Sequence, residues 1–127
     1  MKIAIATDDF TVVAGHAGKS SHWLVYDCQP GETLPDPRRI TLEKAQLMHY
    51  WKDDGPHPLD GVELVVANSA GDGFVRHMGT RGAQVLLTGE DKPGAALTCI
   101  LAGEALPDSR FDITTTLCKL KDLFSRY

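Results

Sequence analysis

From Lys2 to Thr7 the chain alternates Ile3 and Ile5 with Ala4 and Ala6. One side of this segment is branched and the other small, yet both are apolar, which predicts a strand buried on both faces in the middle of a sheet. Trp23 to Cys28 is rich in aromatic and β-branched residues and predicts a second strand. Pro30, Pro35 and Pro37 limit any strand between Glu32 and Ile40 to a short edge strand, because proline cannot donate to a ladder. A hairpin from Trp23 to that edge is the simplest join. Thr41 can cap a helix with apolar positions Leu42, Ala45, Met48 and Trp51, although Lys44 stands where a capping box needs Glu or Gln. That helix ends before Gly55-Pro56. Glu63 to Ala67 predicts a buried strand, Asn68 to Gly73 a small-residue turn, and Gly73 to Thr80 a helix with Phe74 and Met78 on one side. A further strand follows at Gln84 to Thr88. Pro93 opens a helix through Ala102 that stops at Gly103, with Ala96, Leu97, Ile100 and Leu101 inward. In the tail from Asp112 to Tyr127, Leu117, Leu120, Leu123 and Phe124 mark an additional amphipathic helix.

An antiparallel hairpin followed by β-α-β-α describes an α/β fold, a mixed sheet with helices on its faces. Ligands in such sheets bind beyond the carboxyl ends of the parallel strands. Three segments are expected to meet there: Asp8 with the loop around His16, the turn Asn68 to Gly73, and Gly89-Glu90. The region containing His49 and His57 is long enough to fold over them.

At 127 residues and 43% hydrophobic, the chain has the size and apolar content of one globular domain with a real core. A net charge of -4 and the lack of any basic run argue against nucleic acid and against anionic membranes as partners. The apolar run after Lys2 stops before Asp8, too short for a signal h-region, and no stretch has membrane length, so the expected location is the cytoplasm. Cys28, Cys99 and Cys118 are odd in number and contain no C-x-x-C pair. They predict neither a disulfide framework nor a thiolate-bound structural zinc or iron–sulfur site, and each reads as a buried small hydrophobe.

The candidate chemistry lies between the first two strands. Val13 to His22 reads Val-Ala-Gly-His-Ala-Gly-Lys-Ser-Ser-His, which places imidazoles, an ammonium, hydroxyls and flexible glycines on one loop at a sheet end. Gly18-Lys19-Ser20 is not a nucleotide P-loop: Val13 occupies the place of the first glycine, and a strand rather than a helix follows. What remains is a loop offering imidazole nitrogen, ammonium and backbone N–H groups together, suited to an anionic metal species. His16 is the leading ligand candidate, with Lys19 and the amides around Gly15 and Gly18 as cationic and hydrogen-bonding contacts. His57, fixed between Pro56 and Pro58, reads either as a ligand or lid contact or as a structural hydrogen-bonder. His22, His49 and His77 read as surface or internally satisfied histidines, and Asp8 and Asp9 as strand-end caps.

At these residues the sequence resembles the dinitrogenase iron–molybdenum cofactor biosynthesis and carrier family, which includes NifX, NafY and the carboxyl-terminal part of NifB. The resemblance runs from Met1 to about Pro107. It is carried by Met-Lys-Ile-Ala-Ile-Ala at the start, Gly15-His16-Ala17-Gly18-Lys19 followed by Trp23-Leu24-Val25-Tyr26, then Pro56-His57-Pro58-Leu59-Asp60-Gly61-Val62, and Leu87-Thr88-Gly89-Glu90. It implies a ribonuclease H-like fold without nuclease activity, with strand order 3-2-1-4-5. It also implies a cytoplasmic, NifX-like protein of nitrogen fixation that binds or carries an iron–sulfur or molybdenum–iron–sulfur cluster. The family's cluster-linked histidine matches His16. Cofactor contacts are then expected from Gly15, His16, Gly18, Lys19, His57, Ser69 and Gly71, with His16 and His57 as metal ligands. Partners would be the cluster and a cofactor-assembly or acceptor protein. The expected organisation is a cofactor-binding-like domain over 1–107 and a helical extension of it over 108–127.

The chain departs from the family pattern in two places. Many members carry a glycine- and methionine-rich turn after the fourth strand, whereas this chain has Asn68-Ser69-Ala70-Gly71-Asp72-Gly73, and Asp72 brings a negative charge to a helix start. A cysteine often follows the lysine of the first loop, but Ser20 stands here, so a first-loop thiolate is absent. Two other classes compete with a carrier. One is a two-metal phosphoryl-transfer enzyme using Asp8, although no second acid is placed to complete such a site. The other is a metal-free interaction module using the tail helix. The reading taken forward is a carrier without catalytic residues.

Overall fold

A computed structural model describes residues 2–28, 35–52 and 55–101. The strands are β1 (Lys2–Thr7), β2 (His22–Asp27), β3 (Arg38–Thr41), β4 (Leu64–Ala67) and β5 (Gln84–Leu87). They form one five-stranded sheet in the order β3-β2-β1-β4-β5. The β1–β2 and β2–β3 pairs are antiparallel, and the β1–β4 and β4–β5 pairs are parallel. The mixed α/β sheet expected from the hairpin-then-crossover pattern is therefore the observed one. The helices are α1 (Asp72–Thr80), between β4 and β5, and α2 (Pro93–Leu101), after β5. The start of the edge-strand region at Pro30 and Glu32, the helix stop at Ala102 and Gly103, the tail helix and Cys118 lie outside the described residues.

The alternation in β1 divides the core. Ile3 and Ile5 face one layer with Leu24, Tyr26, Leu64, Val66 and Leu86, closed by Ala96, Leu97 and Ile100 of α2. Ala4 and Ala6 face the other with Trp23, Val25, Val65 and Val85, closed by Met78 of α1. The small residues on this second face have a reason. Ala6 pairs directly with Trp23 across the ladder, and Trp23 is fully buried, so the missing side-chain volume of β1 is filled by the indole.

One element differs from expectation. Thr41 does not cap a helix but ends β3, paired with His22, and Leu42 N–H donates to the Ser21 carbonyl at 2.7 Å. Only a single 3-10 turn, Lys44–Gln46, follows. Its capping box sits two residues later than the sequence suggested: the Glu43 side chain receives the Gln46 amide, and Gln46 Oε1 accepts the Glu43 N–H at 3.0 Å. Leu42 and Met48 are buried while Ala45 is exposed, so the apolar spacing marks two dips of an irregular segment into the core rather than a helical stripe. Residues 43–52 thereby cross the sheet end as a strap.

The end of α1 is a Schellman motif. Gly82 has φ +81°, its N–H donates to the Gly79 carbonyl at 3.1 Å, and Ala83 N–H donates to the Met78 carbonyl at 2.9 Å. Gly82→Ala is expected to lower stability by about 1–2 kcal/mol, because a Cβ is disfavoured in the left-handed region even though it would meet no neighbour. Urea unfolding checks this, and an unchanged midpoint would contradict it.

Candidate functional site

The loop after β1 is pinned by its backbone. Ala14 N–H donates to Ala6 O at 2.7 Å, Val13 N–H to Asp91 O at 2.8 Å, and Ala17–Lys19 closes as a 3-10 turn with Ser20 N–H on Ala17 O. His16 is the N-cap residue of this turn but makes no side-chain capping bond. Ser20 turns inward, its Oγ donating to Thr7 O at 2.8 Å, and Trp23 Nε1 donates to Ser20 O at 2.9 Å. Ser20 is thus a tie between β1 and β2.

Two further segments are tied to the same end of the sheet. After β4, Asn68 N–H donates to Ala14 O at 2.9 Å, and Ala17 N–H donates to Ser69 O at 3.1 Å. Asn68 Nδ2 bridges to Thr88 O at 2.6 Å and to Glu90 O at 3.4 Å. The three segments expected beyond the parallel strand ends therefore do meet. The strap joins them through His49 N–H on Gly18 O at 2.8 Å.

These contacts frame a half-open cavity of about 540 Å³, within the ordinary range of ligand pockets. The first loop contributes His16, Gly18 and Lys19 to its wall; the strap contributes Met48, His49 and Trp51; the start of α1 contributes Gly71, Gly73 and Phe74, and its last turn His77. Among the described residues, no carboxylate lines it. The N-cap of α1, Gly71, has no side chain to engage the first amides of the helix, so that end keeps N–H groups and positive dipole potential at the cavity wall. Asp72, in the first turn of α1, is exposed and lies outside the lining. Trp51 Nε1 is buried without a hydrogen-bond partner among the described residues. Among the described residues, no three His, Cys, Asp or Glu side chains are gathered closely enough to hold one metal ion.

Of the residues expected at the site, His16, Gly18, Lys19 and Gly71 line the cavity, and Gly15 and Ser69 flank it. His57 is placed differently. It is 4% exposed, outside the lining, with its ring edge-on to Trp51 at 4.8 Å between centroids. Leu59 N–H donates to Nδ1 at 3.0 Å, which leaves the ring proton on Nε2, 2.7 Å from Gln46 O. Both nitrogens are engaged, so His57 supports the strap and offers the cavity no lone pair, contrary to its expected role as a metal ligand. Asp60 completes this support by accepting His57 N–H at 2.9 Å and pairing with Arg81 at the end of α1. Asp9, an exposed acid beside Asp8, is held below the ordinary carboxyl range by hydrogen bonds from the Thr11 hydroxyl and amide.

The wall also includes His49 and His77, which the sequence pattern read as surface or internally satisfied histidines. For His77 a usable signal exists: it follows Gly73 by four positions, one helical turn, and so shares that residue's face.

No family model matches this sequence, and neither does any curated protein. Solved structures do match. The chain is similar to PH0822 (TM-score 0.64, 22% identity, 90% of this chain and 98% of that one). It is similar to a protein from Methanocaldococcus jannaschii described as a "putative dinitrogenase" (TM-score 0.61, 12% identity, 82% of this chain and 90% of that one). A third likeness is to a "putative NifB protein" from Thermotoga (TM-score 0.58, 18% identity, 87% of this chain and 95% of that one). What these proteins have in common with this chain is the fold, over nearly their whole lengths.

Proposed function

We propose that this chain binds an anionic metal–sulfur cluster in the cavity and carries it during metallocofactor assembly, as a relative of the iron–molybdenum cofactor family. The observation that carries this reading is the make-up of the wall: imidazoles, one ammonium and the open start of α1, with no carboxylate among the described residues. A cluster of iron and sulfide, with or without molybdenum, is large, polarizable and negative. Imidazole lone pairs suit its metal atoms, while ammonium and amide N–H groups suit its sulfides. A hold of this kind, by imidazole, ammonium and amide groups, is weak enough to be reversed, as a carrier requires. The names of two fold neighbours and the order of motifs along this chain support the nitrogen-fixation setting. The partners in this reading are an assembly protein that supplies the cluster and an acceptor that takes it.

The test is anaerobic reconstitution with iron, sulfide and molybdate, followed by gel filtration and metal analysis. Iron and sulfide are expected to travel with the folded protein, and magnesium or manganese is expected to elicit no nuclease or phosphatase turnover. Protein emerging free of metal would overturn the reading. Turnover abolished by Asp8→Asn would replace it with phosphoryl transfer.

A further inference from the structure

We propose that His49 and His77 are cargo ligands that close, with His16, a collar of three imidazoles around one polynuclear cluster. The inference rests on the cluster-binding reading above and adds residues to it. The three histidines come from three separate segments, the first loop, the strap and α1, yet line the same cavity.

His77 owes its place to helix geometry. Side chains of a helix lean toward its N-terminus, so His77 leans over the turn that holds Gly73. Gly73 has no side chain, and a Cβ built there meets nothing within 4 Å, which leaves the path from His77 to the cavity clear. His49 is fixed by its own backbone, through the 2.8 Å bond to Gly18 O, and its ring stands edge-on to Tyr50 at 4.8 Å between centroids. Its Cβ would lie 3.8 Å from a Cβ at Gly18, so the strap and the His16 turn are in direct contact there.

The cargo proposed above decides what three imidazoles in one wall can do. A single ion needs ligands that converge on one point, and no such trio exists among the described residues. A polynuclear cluster presents several metal atoms on different sides and needs one ligand at each. Three imidazoles around about 540 Å³ meet that need, and the Met48 thioether in the same wall is a soft neighbour for sulfide-bound metal. Each contact forms when an imidazole lone pair displaces a solvent or donor-protein ligand from one metal atom, with no change of oxidation state.

The experiment compares wild type, His49→Gln, His77→Gln and Gly73→Leu after reconstitution with iron, sulfide and molybdate. Retained iron is read after gel filtration, and nitrogen neighbours of the metals by X-ray absorption. Each histidine variant is expected to retain the cluster about fivefold less well, as for loss of one ordinary contact, with fewer nitrogen neighbours. Gly73→Leu fills the path without touching a ligand and is expected to lose retention with the fold intact, so the test stands even if a histidine variant unfolds. Retention equal to wild type in either histidine variant overturns the collar while leaving the carrier reading in place. A wild type that holds no iron overturns both.

Discussion

His16→Ala is expected to weaken retention of the reconstituted cluster by about tenfold or more, the scale seen when even the support of a metal ligand is lost, while leaving the fold unchanged. The two halves of this expectation have separate grounds. His16 is exposed and makes no side-chain capping bond, so truncation leaves no buried group unpaired. Its backbone, φ -134° and ψ 101°, is an extended conformation that alanine adopts freely. The turn it begins is held by main-chain bonds, Lys19 N–H to His16 O at 3.2 Å and Ala17 N–H to Ser69 O at 3.1 Å. Stability should therefore stay within about 0.5 kcal/mol of wild type. Lys19→Ala is expected to cost less retention, because an exposed ammonium acts as a screened point charge rather than a ligand. Iron per protein after anaerobic gel filtration, alongside a thermal melt, measures both halves. Equal retention in His16→Ala and wild type would remove this residue from the site and transfer the grip to the strap and α1.

Much of this arrangement was legible because the chain states it locally. Two-sided apolar strands, a hairpin interrupted by prolines and a strand-helix alternation together specify a mixed sheet. The sheet's carboxyl edge then specifies which loops meet. The strap was not legible, since Leu42, Ala45, Met48 and Trp51 have helical spacing while only Leu42 and Met48 are buried. Spacing alone cannot distinguish a helical face from two separate anchors of an irregular segment. The sequence leaves His57 between a ligand or lid contact and a structural hydrogen-bonder for a related reason. Its flanking prolines announce rigidity, but its use depends on the Gln46 carbonyl, eleven residues earlier and on another turn. His49 was hidden with the strap that carries it. His77 was hidden because a helical histidine reads as solvent-facing unless the gap at Gly73 is weighed with it.

His57→Ala is expected to produce a large loss of stability, about 2–4 kcal/mol. It would leave the Gln46 carbonyl and the Leu59 amide without their partner, each worth roughly 1–3 kcal/mol when stranded in a buried place, and would remove the edge contact with Trp51. The same geometry sets a pH dependence. Burial, the largest influence, pushes the His57 imidazole below its ordinary 6.5; Arg81 and His77 act in the same direction, while the Gln46 carbonyl and Asp60 act against it. The folded chain therefore prefers the neutral ring, and protonation would also cost Nδ1 the Leu59 bond. When a folded-state value is depressed, the unfolded chain takes up the proton first. Stability from His57 is then complete above about pH 6.5 and declines as pH falls below it, toward the lower folded value. Wild type should lose stability over this window, and His57→Ala should lack that component, so the gap between the two should narrow in acid. Urea titrations of both proteins at a series of pH values provide the measurement. A gap that stays constant from about pH 8 to pH 5 would show that His57 does not hold the strap through its neutral form.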